Sequence, residues 1–286
     1  MASLPDAMIQ FHCLKMTKRM ASSRTGRTAA SPRFGASPSN RSLERGIEVL
    51  RAFRPGSEWL GNGELAERTG LSRATVSRLA QTLAGAGYLE HDPQLRMYRL
   101  GPPVLSLAHA MYTGSSVLQA ATPLMRAVAA KLRINVGLAA PDREEMVYLE
   151  SIRYNRKVSL RSVVSGQRIP MELTSLGRAY LAVAPEAKRE ELLRCFEARR
   201  AEDWPALQHE IAAATESVRS NGYCVASWQP EVVALATPLV IENKRIYCLN
   251  FSVATRESAS SVIAELKDPL LRLAGEVRAA IAARQP

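Results

Sequence analysis

Apolar residues recur at helical spacing from Ser42 onward. Leu43, Ile47, Leu50 and Phe53 fall on one stripe, and Pro55-Gly56 ends the run, which predicts a first helix with that stripe turned to a core. Asn62 is placed as the N-cap of a short second helix through Glu67 and Arg68, stopped by Gly70. Ser72 is placed to cap a third, carried by Val76, Leu79, Ala80 and Leu83 to Gly85 and Gly87. Two strand-like runs, 88–91 and 96–100, then flank Asp92-Pro93 as in a hairpin, and Gly101-Pro102-Pro103 closes the unit.

A helix over 104–112 is predicted next, with a break at Thr113-Gly114. Beyond it the pattern mixes periods of 3.6 and 2. Helices are expected at 118–132, 175–184, 186–196, 205–220 and 260–283, and strands at 135–140, 146–151, 158–163, 223–228, 233–240 and 246–254. About six strands with flanking helices predict an α+β domain on one antiparallel or mixed sheet. Residues 1–40, rich in Ser, Arg, Pro, Gly and Ala without apolar periodicity, are expected to be a disordered basic tail. The expected order is that tail, a winged helix-turn-helix at 41–102, a linker helix at 103–117, and a second domain at 118–286.

Three positions carry the helix-turn-helix expectation, each for a mechanical reason. Ala66 is small where two helices cross closely. Gly70 can take positive φ in the tight turn, where a Cβ is costly. Val76 is a β-branched residue suited to pack the second helix of the pair on the first. Leu65, Leu71, Leu79 and Leu83 complete a shared core, and the hairpin that follows is the expected wing.

The third helix then turns Arg73, Ala74, Ser77, Arg78 and Gln81 outward, which points to double-stranded DNA as a partner. Arg73 and Arg78 suit guanine O6/N7, and Ser77 and Gln81 suit other base edges; the alternatives for the arginines are phosphate contact alone or plain solvation of a surface helix. Ser72 and Thr75 sit where hydroxyls and free helix N–H groups hold phosphate. In the wing, Arg96 and Arg99 suit the minor groove or its phosphates, with plain surface as the alternative, and His91 is expected to cap the turn.

Charge agrees with this reading without deciding it. The formal net charge is +11, and residues 1–40 alone hold six Lys/Arg against one Asp. The four cysteines, Cys13, Cys195, Cys224 and Cys248, form no C-x-x-C pair, and the last three sit in apolar runs, so they read as reduced core thiols. The four histidines lack ligand spacing, so neither a metal nor a cofactor is expected. The longest apolar stretch, 232–241, is half of what a membrane-spanning helix needs, and no export signal is evident, so a cytoplasmic protein is expected. No G-x-S-x-G, Gly-rich phosphate loop or H-E-x-x-H occurs, and an enzyme is not expected.

The motifs Ser42-Leu43-Glu44-Arg45-Gly46-Ile47, Glu64-Leu65-Ala66-Glu67-Arg68-Thr69-Gly70-Leu71 and Thr75-Val76-Ser77-Arg78-Leu79 resemble the IclR family of bacterial transcription regulators. Gly87-Tyr88-Leu89 and Tyr98-Arg99-Leu100-Gly101 resemble it too. So do the stretch 169–181, Gly222-Tyr223, Ala236-Thr237-Pro238-Leu239 and Asn250-Phe251-Ser252. The resemblance implies a winged helix joined by a linker helix to a GAF-like effector-binding domain. It implies dimers or dimers of dimers on palindromic operators, acting as repressors or activators. Carried over by position, the effector candidates are Glu172, Ser175, Leu176, Ala234, Asn250 and Ser252. Two departures stand out. Glu172 replaces a residue that is often His, and Ala226-Ser227-Trp228-Gln229-Pro230 replaces an acidic run. Trp228 suits stacking on a ring or serving as a lid, and Asn250 suits a ligand carbonyl or a satisfied strand amide. Arg168 suits forking a ligand carboxylate or forming a salt bridge. An aromatic or keto acid effector is the resulting expectation; the alternative is a constitutive DNA-binding protein whose second domain only oligomerises.

Overall fold

The computed structural model describes residues 40–154, 164–227, 229, 231–241, 245–255 and 257–284. The expected tail, the strand expected at 158–163, and Trp228 lie outside them. The chain divides into two compact units, 1–111 and 112–286.

The first unit begins with α1 (Arg41–Arg51), capped by Asn40, whose Oδ1 accepts from the Ser42 and Leu43 amides at 3.1 and 3.2 Å. α2 (Asn62–Thr69) and α3 (Arg73–Gly85) follow. Gly70, at φ +66°, makes the left-handed turn between them, where a side chain would strain the backbone. Val49, Phe53, Leu65, Val76 and Ala80 form the buried centre, with Leu71, Leu79 and Leu83 packed against it. Two expectations are corrected. The stripe of α1 that meets the core passes through Gly46, Val49 and Phe53, while Leu43 and Ile47 are 64% and 44% exposed. And Asn62 is the first residue of α2, not its cap: the chain enters from β1 (Leu60–Gly61) in extended form, and Gly61 N donates to Glu64 Oε2 at 3.0 Å.

The wing is β2 (Leu89–Asp92) and β3 (Met97–Leu100), with β1 added on the outer side of β3, all antiparallel. The turn is capped by Asp92, whose Oδ1 accepts from the Gln94 and Leu95 amides at 2.8 and 2.9 Å. His91, expected in that role, instead faces its cross-strand partner Tyr98, ring centroids 4.6 Å apart.

α4 (Pro103–Thr113) has no buried residue, and α5 (Ser116–Leu132) starts two residues earlier than expected, because Ser115 Oγ caps it through the Leu118 amide. The second unit holds a six-stranded sheet of β4 (Asn135–Asp142), β5 (Glu145–Ile152), β6 (Arg168–Pro170), β7 (Cys224–Ala226), β8 (Val232–Ile241) and β9 (Arg245–Ala254). The order is β6-β5-β4-β9-β8-β7 and every pairing among the described residues is antiparallel. α6 (Ser175–Val183), α7 (Glu186–Arg199) and α8 (Trp204–Asn221) cover one face, with α9 (Ala259–Ala282) and α5 on the other. Strand alternation explains the two layers. Val136, Leu138, Leu249 and Phe251 pack toward α5 and α9, whereas Ala139, Ala236 and Cys248 pack toward α6 and α8.

Candidate nucleic-acid interface and ligand face

The N-terminal turn of α3 is built to present its side chains. Ser72 Oγ accepts from the Thr75 amide at 3.3 Å and meets Thr75 Oγ1 at 2.9 Å, which uses the hydroxyls to hold the turn. Arg73, Ala74, Arg78 and Gln81 are exposed, and Ser77 and Thr75 are half-buried. The Arg73 guanidinium lies beside Gly63 of α2, and neither Arg73 nor Arg78 has an acidic partner among the described residues. Two unpaired guanidinium groups on an exposed helix face make an anion-seeking surface.

The wing arginines differ from each other. Arg96 stands at the hairpin tip in a left-handed conformation, φ +54°, and is exposed. Arg99 is engaged: its Nε and Nη2 donate to Glu90 Oε2 at 2.6 and 2.5 Å, and its guanidinium lies 4.9 Å from the centre of the Trp59 ring. Glu90 and Trp59 are thus functional neighbours absent from the sequence reading. Only the β2–β3 register, which sets Glu90 opposite Arg99, brings the pair together.

In the second unit, the register gathers three of the expected effector residues. Asn250 pairs with Gly137 and Ala236; Ser252 pairs with Asn135 and Ala234. Paired residues share a face, so Asn135, Asn250 and Ser252 stand over a floor of Gly137, Ala234 and Ala236 on the side covered by α6 and α8. Ser151 is opposite Gly137 in the same row. The Oδ1 atoms of Asn135 and Asn250 are buried without a hydrogen-bond partner among the described residues. Next to them burial pushes the Tyr148 phenol up to about 12. Asn135, Ser151 and Tyr148 went unnoticed in the sequence because strand pairing, and not spacing along the chain, makes them neighbours.

Of the remaining described candidates, Ser175 and Leu176 begin the helix that covers this same face, beside Cys224, which is opposite Ala236, and Glu172 and Arg168 are ion-paired. Ser175 and Leu176 open α6 and are buried; the Ser175 carbonyl accepts from Cys224 Sγ at 3.4 Å, and Thr174 Oγ1 caps the helix. Glu172 is fully buried, its Oε1 3.1 Å from Arg199 Nη2 and 3.2 Å from Arg200 Nε, while its carbonyl accepts from Arg178 Nε at 3.0 Å. Arg168 takes the salt-bridge alternative: its Nε donates to Glu145 Oε2 at 2.6 Å and its Nη2 to Asp142 Oδ2 at 2.5 Å. Arg168 and Glu172 thus each have charged partners inside the protein, while Glu172 Oε2 is buried without a hydrogen-bond partner among the described residues. Among the described residues no cluster of three or more metal-ligating side chains occurs, and no helix is long and apolar enough to cross a membrane.

Comparison with known proteins agrees with this architecture. The family model for the IclR helix-turn-helix domain matches residues 42–93, and that for the bacterial transcriptional regulator IclR C-terminal region matches residues 109–279. The chain is 34% identical over 189 residues to the HTH-type transcriptional regulator TsaQ1/TsaQ2 of Comamonas testosteroni, a match spanning 65% of this chain and 66% of that protein. The crystal structure of an IclR family transcriptional regulator from Brucella abortus superposes with a TM-score of 0.75 at 32% identity, covering 87% of this chain and 93% of that one. An IclR homolog from Microbacterium hydrocarbonoxydans, complexed with 4-hydroxybenzoate, shares the fold with a TM-score of 0.62 at 22% identity, covering 85% and 99%.

Proposed function

The chain belongs to the IclR family of bacterial transcriptional regulators, which are not enzymes, and from that premise we propose that it is a ligand-responsive regulator binding a palindromic operator through α3. The observation that carries the DNA-binding half is the exposed, unpaired Arg73 and Arg78 at the start of that helix. Arg73, Ala74, Ser77, Arg78 and Gln81 face the bases, Ser72 and Thr75 the phosphates, and Arg96 reaches the flanking backbone. Arg99 contributes after release from Glu90.

The active form is a dimer or a dimer of dimers. α4 leaves Leu105, Leu107 and Met111 at 75%, 58% and 52% exposure, and a helix with such an apolar face in water is stabilised by a second copy. A dimer also provides two copies of α3 for the two half-sites.

The effector is a small organic acid, aromatic or keto, held on the face of Asn135, Asn250 and Ser252. The small side chains of Ala234 and Ala236 lie in register beside Ser252 and Asn250, whose hydroxyl and amide groups offer hydrogen bonds to the acid's substituents. The neighbour that holds 4-hydroxybenzoate is a solved precedent for an aromatic acid with this fold. Ligand and operator are linked through a population shift between dimer geometries, with a coupling of about 5–150-fold.

Two measurements test the proposal. Arg73→Ala with Arg78→Ala is expected to abolish the preference for duplex from the gene's own upstream region over scrambled duplex, read by fluorescence anisotropy at physiological salt; an unchanged preference overturns the assignment of α3. In a melting screen with 4-hydroxybenzoate, 3,4-dihydroxybenzoate, benzoate and pyruvate, a bound acid at a hundred times its Kd is expected to raise Tm by about 5–10 °C. A panel without any stabilisation favours a constitutive DNA-binding protein whose C-terminal domain only oligomerises.

A further inference from the structure

Strand β5 carries an irregularity whose position connects two sites. Leu138 is opposite Glu150, but the next residue of β4, Ala139, is opposite Tyr148, so Leu149 is an extra residue in the ladder. In a regular strand Tyr148 and Glu150 point the same way. The bulge separates them. Tyr148 packs with Met146 and Ile169 on the side of α6 and α8, whereas Glu150 turns to the opposite layer, where it meets α4 and α5.

Each neighbour of the bulge is tied to a different element. Toward the ligand face, the Tyr148 ring and the Asn250 amide crowd together over Gly137, each coming within 2.5 Å of where a Cβ on that glycine would lie. Toward the other face, the buried Glu150 carboxylate accepts from the Tyr112 hydroxyl at 2.6 Å and from Thr122 Oγ1 at 3.4 Å through Oε2. Its Oε1 accepts from the Ser151 amide at 3.0 Å and from Ser165 Oγ at 3.3 Å. Tyr112 stands in the last turn of α4, the helix that leads out of the second unit.

We propose that the bulge and the Tyr112–Glu150 bond form a relay that passes a displacement of Asn250 and Tyr148 to the last turn of α4; the inference rests on the reading of that sheet face as the effector site. Three features suit the arrangement to switching. A charge-assisted O–H···O⁻ bond is strong when made and leaves a buried carboxylate short of a donor when broken, so intermediate positions are disfavoured. The bulge interrupts the ladder and is the softest point of β5. Beside the bond a hollow of about 560 Å³, lined by Tyr112, Leu118, Thr122 and Arg126 among others, gives the phenol somewhere to go without disturbing the core. Tyr148, Glu150 and Tyr112 are positioning residues here, acting on the ligand response and touching neither ligand nor DNA.

The test needs no ligand. Hydrogen–deuterium exchange is followed in peptides spanning residues 108–119 of the full chain, in the wild type, Tyr148→Phe, Tyr112→Phe and the double variant. Tyr148→Phe removes the buried hydroxyl while keeping the ring beside Asn250, and Asn250→Ala, which empties the space beside that ring, stands in for it if the phenylalanine variant does not fold. A relay predicts that each single change accelerates exchange at 110–115 by about fivefold or more, and that the double variant exchanges no faster than Tyr112→Phe. Unchanged exchange at 110–115 in a folded Tyr148→Phe, or effects that multiply in the double variant, overturns it. Because no acid enters the cycle, failure of the effector reading in the melting screen is a separate result. Where an acid does bind, it is expected to bind Tyr112→Phe as well but to change operator affinity only in the wild type.

Discussion

Gly137 lacks a side chain because the space above it is taken. A Cβ there would lie 2.5 Å from both Asn250 Oδ1 and Tyr148 Cε1. Gly137→Ala is therefore expected to cost about 1–3 kcal/mol and to weaken acid binding, seen as a lower Tm and a smaller ligand-induced shift. Gly177→Ala is expected to cost more, since its Cβ would come within 2.2 Å of the Met171 backbone, which cannot give as a side chain can. Glu90 predicts a gain. Glu90→Gln frees Arg99 for phosphate, so non-specific DNA affinity should rise at low salt and the slope of log K against log salt should steepen by about 0.9. An unchanged slope would mean that Arg99 meets no phosphate. At this scale, residues with local jobs were legible from sequence: Gly70 in its turn and Ser72 at its cap depend on neighbours a few positions away. The partners of Arg99, Arg168 and Glu172 were not, because they come from 9 to 28 residues distant along the chain.

Among the elements, α4 is the one whose stability is least explained by its own unit. It carries Leu105, Leu107 and Met111 exposed, and α1 adds Leu43 and Ile47. Leu105→Lys with Leu107→Lys is expected to shift sedimentation toward the monomer and to lower operator affinity, with the melting of the second unit left in place. A double variant that sediments like the wild type would remove α4 from the interface. The helices were read well from sequence because amphipathic periodicity over ten or more residues is a long signal; α8 (Trp204–Asn221) and α9 (Ala259–Ala282) depart from expectation by one residue at each end. β1 and β6, two and three residues long, were missed, since so short a run has no periodicity and exists only because a neighbouring strand pairs with it.

For the whole molecule, burial of neutral acids sets the alkaline limit. Burial pushes Cys224 and Tyr148 up to about 12 and Cys248 well above its usual value of 9.0. In each case the folded value is raised, so the stabilisation is complete below the unfolded values of 9.0 for the thiols and 10.0 for the phenol. It is lost as pH rises from there toward about 12. Tm is expected to be flat to about pH 9 and to fall steeply above it, and Cys224 and Cys248 should resist thiol reagents at pH 8 until the chain unfolds. Thiols that react in the folded protein at that pH would contradict the burial. Taken by itself, the order of residues determined which stretches become helices and strands and where α3 starts, because propensity, capping and turn chemistry act over a few positions. Only tertiary structure decided which of the arginines remain unpaired, which side chains share the sheet face of Asn250 and Ser252, and how Glu150 of β5 meets Tyr112 of α4. Strand register brings distant residues together, and one extra residue in a ladder reverses the side on which a carboxylate emerges.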